Sequence, residues 1–166
     1  MEKLKKLMER RDISEQDILN LINEFSDKYV AKVDYQKNLL ETLDDQGIRN
    51  LDGEISNRNF PNDVLIKGEI EIYTKLFIPA SAETSDSVIK RMKKEGYRPA
   101  TFIELASVYN DLSDYQHQFS IYAFGSPFTT RLNNRVYPYI NREGAKISRC
   151  SYPERKHDRV MGVRIE

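Results

Sequence analysis

His117 and His157 are the only histidines in the chain, and each stands close to an aspartate: Asp114 precedes the first and Asp158 directly follows the second. Imidazole titrates near neutral pH, so two histidines brought together beside an arginine or a tyrosine could cleave RNA by general acid–base catalysis. These two lie forty positions apart in polar, loop-like segments. No local spacing requires them to meet, and they read as exposed histidines without a chemical role. With an aspartate they could ligate a metal, but holding two imidazoles on one face takes a spacing such as His-x-x-x-His, and no metal site is assigned. Cys150 follows Arg149, whose charge could stabilise a thiolate nucleophile. No base stands in a recognisable arrangement with it, and a structural cysteine is the expectation. Gly125-Ser126-Pro127 has neither a Gly-x-Ser-x-Gly elbow nor a glycine-rich phosphate loop and reads as a turn. These residues define no catalytic constellation and no cofactor site.

What remains is the chemistry of recognition. Tyrosine and arginine combine contact area with hydrogen bonding, while asparagine and serine adapt their polar contacts. The C-terminal part of the chain is rich in all four. Ligand contacts are expected from turns at 131–134 and 141–144 and from the loop 151–158, because a turn exposes its side chains and varies without disturbing a core. The residues singled out are Arg131, Asn133, Asn134, Asn141, Arg142, Tyr152, Arg155 and His157. For Tyr137 and Tyr139 there are two readings, a share in this surface or packing against a helix that carries Leu105 and Tyr109. The function this composition favours is a non-enzymatic binding module that presents its C-terminal loops to a protein or other ligand. The alternative is a nucleic-acid-binding protein or small nuclease: residues 131–166 hold nine Lys or Arg against four Asp or Glu, and clustered basic residues attract phosphate.

The elements that must position these residues follow from periodicity. Leu4, Leu7 and Met8 mark a first helix, and Ser14-Glu15-Gln16-Asp17 opens a second that carries Ile18, Leu21, Ile22 and Phe25. Leu39, Leu40 and Leu43 continue a helical pattern to Gly47, so residues 1–60 are expected to form a helical N-terminal region, which could also join copies of the chain. Residues 47–63 hold turn chemistry with few buried anchors and read as a loop. Residues 69–78 alternate polar with apolar side chains up to Pro79, the period of a half-buried strand. Ser85-Asp86-Ser87 caps a helix with Val88, Ile89 and Met92 inward and Gly96 at its end. Thr101 caps another helix, with Glu104 placed to complete a capping box and Phe102, Leu105, Ala106 and Tyr109 on its inner face. Strands are expected at 120–125, 135–140, 146–150 and 159–165, with turns at Asn133-Asn134 and 141–144. The result is an α+β chain of two regions, 1–60 and 61–166, the second closed by an antiparallel sheet.

This order of elements, with a second helix introduced by Arg98, Pro99, Thr101 and Glu104 and a close on Gly162-Val163-Arg164, resembles the C-type-lectin-like fold. Closest in pattern are the formylglycine-generating-enzyme group and the variable proteins of diversity-generating retroelements. In that group Arg-Leu-Pro-Thr-x-x-Glu-Trp introduces the second helix, and Arg98, Thr101 and Glu104 fall in its register. Pro99 is displaced by one, and Leu105 stands where the aromatic would be. The group's closing Gly-Phe-Arg is matched by Gly162, Val163 and Arg164. Tyr137, Pro138 and Tyr139 occupy the place of its Trp-rich segment, in a chain that has no tryptophan. The likeness covers about residues 69–166 and implies that the strand at Ile70 meets the strand at Val163. Formylglycine generation needs a pair of cysteines, and with Cys150 alone that activity does not carry over.

Composition sets the remaining bounds. A 39% hydrophobic share with 31% charged residues suits a soluble folded domain and no membrane span, since the longest apolar runs fall far short of ~20 residues. The charged start lacks the apolar stretch of a signal peptide, and one cysteine excludes an intramolecular disulfide. A cytoplasmic location is expected.

Overall fold

The computed structural model describes residues 28–62, 68–80, 83–112, 116–148 and 158–165. Along them run β1 (Lys28–Asp34), α1 (Leu39–Asp45), β2 (Glu69–Phe77), α2 (Ser85–Lys94), β3 (Tyr97–Pro99), α3 (Phe102–Val108) and β4 (Ile121–Tyr122). Then follow β5 (Phe128–Thr129), β6 (Arg135–Val136), β7 (Pro138–Asn141), β8 (Gly144–Ile147) and β9 (Arg159–Arg164). The main sheet has the order β1-β2-β9-β4-β7-β8, with β3 also on β9, and β5 and β6 form a separate hairpin. Its pairings are antiparallel except that of β4 with β9. The chain is therefore α+β with a mostly antiparallel sheet. β2 pairs with β9, Thr74 opposite Val163, so the strand that holds Ile70 does lie against the C-terminal one.

Strand alternation sorts the side chains onto two faces. Ala31, Val33, Ile72, Leu76, Ile121, Ile140, Met161 and Val163 turn towards α1 and α3 and join Leu39, Leu43, Phe102 and Leu105 in the larger hydrophobic cluster. Phe77, Tyr122, Tyr137 and Val160 turn the other way and pack with Phe124 and with Val88 and Met92 of α2. Each helix is tied down at its start. Asn38 and Glu41 form a capping box on α1, and Thr101 and Glu104 form one on α3. The cap of α2 is Thr84, whose hydroxyl accepts from the Ser87 N–H, one residue ahead of the expected Ser85.

Several expectations are corrected here. Residues 28–34 form a strand and not helix: Tyr29, Ala31 and Val33 alternate with Lys28, Val30 and Lys32, a period of two with β-branched residues. All seven residues of β1 pair with β2. Residues 47–62 are a loop, as expected, but a well-anchored one, because Ile48, Ile55 and Phe60 are buried in the cluster that also holds Leu105 and Val163. Residues on both sides of position 60 thus share one core. The expected strand 135–140 divides at Tyr137 into β6 and β7, which belong to different sheets. Tyr137 and Tyr139 do share a face, but it is the α2 face: the Tyr137 hydroxyl donates to Ser85 Oγ at 3.1 Å. They do not pack on the helix with Leu105. The helices expected at residues 4–25 lie outside the described residues, and with them the oligomerisation surface. Among the described residues no helix is long and apolar enough to cross a membrane.

Candidate functional site

The junction of β1, β3 and α3 is built on one buried carboxylate. Glu104 is 0% exposed and accepts from Arg98 twice, Nη1 to Oε2 at 2.9 Å and Nη2 to Oε1 at 2.6 Å. The Tyr35 hydroxyl donates to Oε1 and the Thr101 N–H to Oε2 at 2.7 Å. Burial alone would raise the Glu104 pKa, but the Arg98 fork, with help from Tyr35 and Thr101, holds it below the usual carboxylate range. Tyr35 moves the other way, its hydroxyl pushed up by burial and by the neighbouring Glu104. Every oxygen of this group has a partner, so the cluster locks β1, β3 and α3 together and offers no reactive atom. On the next layer Gly125 passes Ala100 so closely that a Cβ would sit 2.6 Å from the Ala100 carbonyl oxygen, while Ser126 Oγ accepts from the Phe102 N–H at 2.8 Å. The turn at Gly125-Ser126-Pro127 is thus a buttress of α3.

The β7–β8 turn sits where three separate segments meet. Asn141 Oδ1 accepts from the N–H groups of Glu143 at 3.0 Å and Gly144 at 3.3 Å, an Asx turn that fixes the corner. Beside it the chain at 49–51 runs parallel to β8: the Ala145 N–H donates to the Arg49 carbonyl at 2.8 Å and the Leu51 N–H to the Ala145 carbonyl at 3.0 Å. The third segment is the 3-10 turn after α3, which carries Tyr109 and Asn110. Between the three lies a cleft of about 270 Å³ lined by Arg49, Tyr109, Asn110, His117, Asn141, Arg142, Glu143 and Gly144, among others.

Charge and hydrogen bonding in this cleft are unbalanced. Arg49 and Arg142 are exposed, and neither guanidinium has a hydrogen-bond or ion-pair partner among the described residues. Tyr109 is only 6% exposed, yet its hydroxyl has no partner among the described residues. Burial pushes that hydroxyl up to about 12, with the nearby Arg142 charge acting in the opposite direction. His117 stacks on Tyr109 with ring centroids 4.6 Å apart, and its Nε2 lies 2.8 Å from the Tyr109 carbonyl oxygen. A carbonyl only accepts, so Nε2 carries the proton. His117 is therefore half-buried and fixed, which corrects the reading of it as exposed. Glu143 also lines the cleft, but its carboxylate is held by the Lys146 ammonium.

The residues singled out in the sequence fall into two places. Asn141 and Arg142 lie on this cleft, Asn141 partly as the clamp of the turn. Arg131, Asn133 and Asn134 are exposed on the β5–β6 hairpin, where Asn133 takes a left-handed φ of 62° that asparagine tolerates. Arg131 and Asn134 line a different cleft of about 380 Å³ together with Leu132 and Ile147. Tyr152, Arg155 and His157 lie outside the described residues, as do Asp114, Arg149 and Cys150. Tyr122 is buried and belongs to the core. Reading the sequence missed Arg49 and Tyr109 as site residues. The available signal was Gly144, a glycine directly after an Asn-Arg-Glu turn, which marks a close backbone approach. No group of three or more His, Cys, Asp or Glu side chains suited to a metal occurs among the described residues. Comparison of the chain with family models, with curated proteins and with solved structures gives no match.

Proposed function

We propose that this chain is a ligand-binding module on a C-type-lectin-like scaffold, with its site at the cleft of the β7–β8 turn. The scaffold reading is supported by the β2–β9 pairing and by the Arg98–Glu104–Thr101 cluster, which stands in the register of the motif that introduces the second helix in that fold. Fold-level likeness argues architecture only, and function has to come from the site. One observation carries the binding reading: Arg49, Tyr109 and Arg142, drawn from three distant segments, line one cleft with hydrogen-bonding groups that have no partner among the described residues. The buried Tyr109 hydroxyl costs stability while unsatisfied, and the two arginines beside it are exposed and unpaired among the described residues, so the set is expected where a ligand completes it. The test is capture from the native source on immobilised protein, wild type against the Arg49→Gln/Arg142→Gln variant at equal melting temperature. A ligand recovered by the wild type and lost by the variant supports the reading; equal recovery places the site elsewhere.

The second reading, a nucleic-acid-binding protein or small nuclease, draws on the same two arginines and on His117. Three residues of the basic C-terminal segment are otherwise engaged: Lys146 pairs with Glu143, Arg135 approaches Asp86 at 4.0 Å, and Arg159 is buried with its guanidinium 4.2 Å from the centre of the Phe119 ring. Gel shifts with single-stranded and duplex probes across a salt series separate the two, since phosphate contacts weaken steeply with salt. Absence of a shift at low salt removes this reading.

A further inference from the structure

Resting on the reading of the β7–β8 cleft as a ligand site, we propose that it takes the phosphate group of a small phosphorylated ligand, held by the guanidiniums of Arg49 and Arg142 and by the Tyr109 hydroxyl. Three features of the cleft point to an oxyanion. First, the groups without partners are donors. A guanidinium offers five N–H bonds and no acceptor, in a fork matched to phosphate and carboxylate oxygens. Second, Tyr109 lines the cleft, its buried hydroxyl has no acceptor among the described residues, and an anionic oxygen is the strongest acceptor available to it. Third, the carboxylate that would repel an anion is occupied, because Lys146 neutralises Glu143.

Phosphate is preferred over carboxylate by the number of donors. Two guanidiniums and a phenol supply more N–H and O–H bonds than two carboxylate oxygens accept readily, whereas a terminal phosphate presents three oxygens and about two charges. A volume of about 270 Å³ sits just below the ~300–1,000 Å³ of ordinary small-molecule pockets, which fits a phosphate with a compact substituent. The stack of His117 on Tyr109, closed by the Nε2 hydrogen bond to the Tyr109 carbonyl, holds the phenol in place before the ligand arrives.

Titration calorimetry with inorganic phosphate tests this, alongside acetate at matched ionic strength and a short oligonucleotide without terminal phosphates. The wild type is expected to bind phosphate saturably and more tightly than acetate or the oligonucleotide. Arg49→Gln and Arg142→Gln should each weaken phosphate about tenfold or more, the usual loss for a charge-assisted bond. Tyr109→Phe should weaken it by a similar factor with no fall in melting temperature, an effect that a structural role for the hydroxyl would not produce. Absent phosphate binding, equal affinity in all three variants, preference for acetate, or binding of the oligonucleotide in place of phosphate each overturns the proposal. If phosphate fails while native-source capture still depends on Arg49 and Arg142, only the ligand class is wrong; if capture ignores both arginines, the reading beneath it falls as well.

Discussion

Gly144 lies against Arg49 so closely that a Cβ on the glycine would come within 2.3 Å of the Arg49 carbonyl oxygen, and its φ of 145° is one that L side chains rarely adopt. This approach holds Arg49 beside the β7–β8 turn. Gly144→Ala should therefore cost about 2–4 kcal/mol, from backbone strain together with the displaced neighbour. A urea or thermal unfolding midpoint equal to that of the wild type would show that the two segments do not meet this way.

The Glu104 cluster predicts a particular response to acid. The carboxyl is held below its usual range in the folded chain, so its contribution to stability is complete above the unfolded pKa of ~4.3 and is lost as pH falls from there through the folded value. Glu104→Gln should remove that part of the acid dependence and flatten the stability profile below about pH 4.3. Arg98→Ala, which leaves the buried carboxylate without its fork, should cost about 2–4 kcal/mol, a range set below the full buried-pair value because the Arg98 side chain is 41% exposed. Parallel acid profiles for wild type and Glu104→Gln would exclude this role.

Tyr109 behaves oppositely at high pH. Its hydroxyl ionises at about 12 in the folded chain against ~10 when unfolded. The unfolded state then releases its proton first, so this contribution is intact below pH ~10 and is lost as pH rises towards 12. Tyr109→Phe should change stability at neutral pH by no more than about 1 kcal/mol, since the hydroxyl has no partner among the described residues to lose. Near-ultraviolet tyrosinate absorbance during alkaline titration should show one late-ionising tyrosine fewer in that variant. A large loss of neutral-pH stability would mean that the hydroxyl is bonded within the protein.

What could be read in advance was local. The Thr101–Glu104 cap, the alternation of β2 and the left-handed Gly96 depend on neighbours within a few residues, and each is present. Contacts between distant segments could not be read. Tyr35 reaches Glu104 across 69 positions, and Arg49 owes its place to the isolated pairing of Asn50 with Ala145. Tyr109 was legible as an inward-facing residue, but periodicity reports the side of a helix and says nothing of whether a hydroxyl finds a partner. β1 is legible only through the period of two of Tyr29, Ala31 and Val33, which a helical reading of residues 1–60 overrides.

Retention of the native ligand by two single variants, each matched to the wild type in melting temperature, tests the central claim most directly. Arg142→Gln alters the cleft of the β7–β8 turn, and Arg131→Ala alters the β5–β6 hairpin that lines the other cleft. Arg142→Gln is expected to lower retention about tenfold or more, as loss of a central arginine contact does, with Arg131→Ala close to wild type. Full retention by Arg142→Gln together with loss in Arg131→Ala would contradict the account and move recognition to the hairpin.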